Sequence, residues 1–133
     1  MEHLKQWVQE RLDARNEASK RFFRRESKLL AQACRDMALR FLNGGRLLAF
    51  GRGVYATDAQ HVSVEFVHPV IVGKRALPAL DLSMAFPEWV KTIVRPEDIV
   101  MGFAPPEGDP VVEKALAFAR SKGAQTFGLP GKE

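Results

Sequence analysis

Residues 43–66 read NGGRLLAFGRGVYATDAQHVSVEF, and the order of residue types in this stretch decides the fold. Arg46-Leu47-Leu48-Ala49-Phe50 is a short, almost wholly apolar run of the kind found in a parallel strand covered on both faces. Gly51-Arg52-Gly53 is a turn, because glycine accepts backbone conformations that crowd a side chain. A helix is predicted over 55–68, closed by Pro69, with Tyr55, Ala59, Val62 and Phe66 on its core face. Strand, glycine turn and helix in that order open an α/β unit.

Toward the C-terminus the alternation repeats. Strands are predicted at 76–82, weakened by Pro78, at 98–103 and at 124–129, with a short helix at 87–93. Asp109-Pro110 opens a further helix to about Ser121, since Asp caps helices and Pro fits the first helical position. The expected fold class is α/β, a three-layer αβα sandwich around a parallel sheet with right-handed crossovers. Toward the N-terminus, residues 3–23 form an amphipathic helix, and Ser27 is placed to cap a second one carrying Leu30, Ala33, Cys34, Met37 and Phe41 to the stop at Asn43-Gly44-Gly45. The two are expected to form a helical hairpin over 1–43 that packs onto a copy of itself through Trp7, Phe22 and Phe23, with 44–133 as the α/β core of a single domain.

At 133 residues, with 46% hydrophobic and 27% charged residues, the chain is long enough for one core without metals or disulfides. Cys34 stands alone, so no internal disulfide is available and a reducing, cytoplasmic setting is expected. No apolar run approaches the roughly 20 residues of a membrane span, so no membrane association is expected. The net charge of +4 belongs to residues 1–50, which hold 11 Lys and Arg against 6 Asp and Glu. Lys20, Arg21, Arg24, Arg25 and Lys28 are densest there, but Phe22, Phe23 and Glu26 interrupt them. That pattern reads as the solvated face of a helix, and nucleic acid is not the expected partner.

Ligands of open parallel sheets sit beyond the carboxyl ends of the strands, where loops feed helix N-termini. Gly51, Arg52, Gly53, Tyr55 and Asp58 are therefore the candidate phosphate-binding residues, with backbone amides and the Arg52 guanidinium as donors. The same spacing matches a dinucleotide turn of the G-x-G-x-x-A form with Asp81 as ribose acceptor, a short pattern that a plain tight turn also satisfies. His61 and Glu65 are four residues apart on one helix strip. Such a pair can reach one metal ion or one substrate atom and shuttle a proton, although the spacing is also that of an ordinary surface contact.

The stretch 43–66 resembles the signature of SIS (sugar isomerase) domains, most closely the phosphoheptose isomerase group, whose pattern is GG, a hydrophobic strand, GNGGS and then DAQH with Glu four residues beyond the His. Gly44, Gly45, Gly51, Gly53, Asp58, Ala59, Gln60, His61 and Glu65 stand at matching positions, and ALPALDL at 76–82 and ALAFARSKGAQTFGLPG at 115–131 continue the likeness. The resemblance implies a flavodoxin-like sandwich, an N-terminal helical hairpin building a homodimer or homotetramer, and a phosphosugar site between subunits. It assigns metal binding to His61 and Glu65, with zinc the expected ion, and catalytic proton transfer to Glu65 beside His61.

The departures bear on function. Arg52-Gly53-Val54-Tyr55 stands where the family has Asn-Gly-Gly-Ser, which removes a phosphate-binding hydroxyl. The family's Ser/Thr-rich second loop is replaced by APPEGDP at 104–110, where Asp109 puts its own carboxylate at the position a helix N-terminus would offer an anion, leaving Arg52 to offset it. The chain is shorter than the family between Leu82 and Glu97, and it stops at Glu133, before a last strand and helix that carry further metal ligands in the isomerases. The zinc ligand set is thus expected to be incomplete. A carbohydrate-derivative (phosphosugar) binding protein is favoured over an autonomous isomerase. Two alternatives follow: an active sedoheptulose 7-phosphate isomerase relying on a partner or second subunit, and a non-catalytic regulatory or scaffold oligomer of the replication-initiator-associating type.

Overall fold

A computed structural model describes residues 1–129. The chain divides into two compact units, Met1–Asp36 and Met37–Glu133.

From Glu2 the first unit belongs to helix α1, Glu2–Leu42, which is 41 residues long and has no fully buried residue. The helical hairpin expected over 1–43 is not formed: Ser27 lies inside one uninterrupted helix. The physical reason is that residues 2–42 contain no Gly or Pro. A good capping residue does not stop a helix without a breaker beside it, and Ser in a helix interior costs only about half a kcal/mol relative to Ala. Pairs one turn apart brace the surface, with Gln6 donating to Glu10, Gln9 to Asp13 and Gln32 to Asp36.

The second unit is the α/β core. Strand β1 is Leu47–Gly51, followed by a 3-10 turn at Gly53–Tyr55 and helix α2, Ala56–Val67. Strand β2, Ala79–Asp81, is shorter than the predicted 76–82, because Pro78 lacks the amide a longer ladder needs. Helix α3 is Phe86–Ile93, strand β3 is Ile99–Phe103, helix α4 is Pro110–Ser121 and strand β4 is Gln125–Leu129. All strand pairs are parallel, in the order β2-β1-β3-β4, with Leu48 opposite both Leu80 and Val100, and Val100 opposite Thr126.

Every residue of β1 is buried, as its apolar run requires of a central strand. Leu48, Phe50 and Val100 turn to one face and join Phe86 and Val90 of α3 and Val112, Leu116 and Ala119 of α4 in the main core. The Phe50 and Phe86 rings stack at 4.5 Å. The alternate residues Leu47, Ala49 and Ile99 are equally buried on the opposite face, where α2 lies and Phe66 stacks on Phe41 at 5.7 Å. The core is thus the expected three-layer αβα arrangement.

The amino ends of β1 and β3 are pinned by one buried ion pair. Arg46 donates through Nη2 to Asp98 Oδ2 (2.8 Å) and through Nε to Oδ1 (3.2 Å), while the amides of Arg46 and Arg95 donate to the same carboxylate. Asp98 has no solvent exposure, and its hydrogen bond to Arg46 holds the guanidinium above its already high ordinary pKa. This clip lies at the opposite edge of the sheet from the strands' carboxyl ends.

Candidate functional site

In a sheet ordered 2-1-3-4, the chain leaves β1 toward one side for β2 and places β3 on the other. The crevice between the carboxyl ends of β1 and β3 is the topological switch point, where open α/β sheets bind ligands. The glycine turn after β1 and the 104–109 loop after β3 flank it.

Across this crevice Arg52 Nε donates to Asp109 Oδ2 at 2.8 Å. The other carboxylate oxygen, Oδ1, accepts from the amides of Val111 (2.9 Å) and Val112 (3.4 Å), which caps α4 as the sequence predicts. Asp109 is nearly buried and Arg52 half exposed. The Arg52 hydrogen bond, with help from the two amides, holds the Asp109 carboxyl below its ordinary range despite the opposing effect of burial.

The glycines of the turn have backbone reasons of their own. A Cβ on Gly51 would run into the Tyr55 carbonyl, and Gly53 has φ +56°. The Gly51 amide donates to Ser83 Oγ at 3.2 Å, and that hydroxyl donates to Asp81 Oδ1 at 2.6 Å. Asp81 thus positions Ser83 beside the turn. Ser83 is the residue the sequence reading missed; its signal was its place two residues beyond the strand-terminal Asp81, the spacing of a local Asx turn, with the Ser83 amide donating to Asp81 at 3.0 Å. Tyr55 is half-buried at the end of the 3-10 turn, and Asp58 is exposed in the first turn of α2.

His61 and Glu65 come together as the spacing predicts, with Nε2 and Oε1 3.4 Å apart. They stand on the solvent side of α2, 75% and 45% exposed, and at about 1.5 Å per residue they lie roughly 7 and 13 Å along the helix from its start. The core side of α2 is instead Ala59 and Ser63, with Ser63 donating to the Ala59 carbonyl. For a metal, the pair offers two donors where zinc takes four. Among the described residues no group of three or more His, Cys, Asp or Glu is placed to hold an ion. A separate cleft of about 240 Å³ opens next to Asp109 and is lined by Ala104, Pro105, Gly108, Val112, Leu116 and Leu129 among others.

No protein-family model matches the chain. Among characterised proteins it is 34% identical to a phosphoheptose isomerase of Solidesulfovibrio magneticus over 86% of this chain, and 31% identical to one from Pelobacter propionicus over 79%. In sequence this chain is similar to the phosphoheptose isomerases of the SIS group. It spans 64% of the length of each of those two relatives. The solved phosphoheptose isomerase of Neisseria gonorrhoeae shares the SIS fold at a TM-score of 0.64 and 23% identity, covering 92% of this chain and 74% of that one. The Francisella tularensis phosphoheptose isomerase does so at 0.66 and 21%, over 74% and 60%. Among the described residues, no helix is long and apolar enough to cross a membrane.

Proposed function

We propose that this chain binds a carbohydrate derivative of the phosphosugar type at the β1/β3 switch point, in a cytoplasmic setting, and that the residues described here do not by themselves complete an isomerase. The observation that carries the reading is that Arg52 of the turn after β1 and the amides that open α4 meet across one crevice, where Asp109 now engages them. These are donors suited to an anionic sugar derivative. Catalysis asks for more, because a base works only on a substrate held in reacting geometry. Glu65 beside His61 is the group able to move a proton, yet both face solvent on the far side of α2 from the main core. That exposure favours one alternative in particular: a second subunit or further chain that covers α2 and supplies the missing ligands and walls.

The test is a pair of measurements on the purified protein. Sedoheptulose 7-phosphate should raise the melting temperature, since a ligand bound only by the native state stabilises it. Turnover should stay at background with or without added zinc. If turnover appears and is lost in Glu65→Gln while folding is unchanged, the isomerase reading replaces this one; no shift with any sugar phosphate removes the binding reading and leaves the scaffold.

A further inference from the structure

We propose that the Arg52–Asp109 ion pair is an internal latch across the switch-point crevice, in which Asp109 supplies from the chain itself the anion that a ligand would otherwise bring. The inference rests on the phosphosugar reading for the identity of the ligand, but not for the latch itself. Three donors from two separate loops meet on one carboxylate: Arg52 Nε from the turn after β1, and the Val111 and Val112 amides that open α4. A guanidinium facing a helix N-terminus is an arrangement that attracts oxyanions, and here a side-chain oxyanion already fills it.

Its consequence is competition. A phosphate approaching the crevice meets a carboxylate of its own sign, nearly buried and paired, and gains Arg52 and the amides only when the pair opens. Arg52 is half exposed, so the latch can part by rotation of that side chain without unfolding either loop. Asp109 is thus a specificity-determining residue: phosphate pays the cost of opening the pair. Replacing the carboxylate should convert the latch into an open anion site, provided the replacement still caps α4. Serine and asparagine both do.

The experiment measures binding of inorganic phosphate and of sedoheptulose 7-phosphate by titration calorimetry. It compares the wild-type chain with Asp109→Ser, Asp109→Asn and the double variant Asp109→Ser with Arg52→Gln, each checked for native helix content by circular dichroism. The expected result is a Kd for inorganic phosphate at least tenfold lower in both single variants, with the gain abolished in the double variant. Folded single variants that bind phosphate no better than wild type overturn the latch, as does a gain that survives removal of Arg52. Sugar phosphate bound equally by wild type and variants overturns the latch and leaves the binding reading standing. A phosphate gain with no sugar phosphate bound by any protein upholds the latch and removes the phosphosugar reading.

Discussion

Asp109 does two things with one carboxylate. One oxygen caps α4 and the other holds Arg52, so its charge is worth keeping in the folded state. Because its folded pKa lies below the unfolded value, the stabilisation is fully present above the ordinary carboxylate range and is lost as the pH falls through and below about 4. The expected outcome is a melting-temperature gap between wild type and Asp109→Asn that is widest near neutrality and narrows as the pH falls below the ordinary carboxylate range, read by thermal denaturation across that range. A gap that widens toward acid would show that the carboxylate is not held in its charged form. His61 and Glu65 differ in kind. Their spacing made the contact legible from the sequence, but nothing in i, i+4 spacing says whether the strip faces a cleft or solvent.

Element by element, the core elements were readable because each carries its own punctuation. The apolar run of β1, the Asp109-Pro110 start of α4 and the Gly123 that follows its end are local signals, and the observed bounds of α4 reproduce them. Helix α1 is the exception, since Ser27 is a good capping residue but no breaker stands beside it. Ser27→Ala distinguishes the two arrangements by sign. Loss of a true cap costs about 1 kcal/mol, whereas the same change in an exposed helix interior is neutral or stabilising by up to about half a kcal/mol. Urea unfolding followed by far-ultraviolet circular dichroism should show the midpoint unchanged or raised. Strand β2 is the reverse case: Pro78 signalled its weakness in advance, and only Ala79–Asp81 joins the ladder.

For the molecule as a whole, unit Met1–Asp36 leaves Leu4, Trp7, Val8, Leu12, Phe22 and Phe23 exposed on helix α1. A helix gains most of its stability from packing an apolar face, and we propose that a further copy of this chain covers this one. Light scattering at micromolar concentration should give a dimer or tetramer, and Trp7→Ala with Phe23→Ala should shift it toward monomer; a wild-type monomer under those conditions contradicts the proposal. The sequence by itself determined the α/β class, the strand and helix succession of the core and the candidate residues of the glycine turn, because periodicity and turn chemistry act over a few neighbouring residues. Only the tertiary structure decided that Arg52 is spent on Asp109, 57 positions away, that Ser83 holds the Gly51 amide, and that His61 and Glu65 face outward. Those facts depend on which strands lie side by side and on which face each helix settles, and that is set by packing between segments distant in the chain.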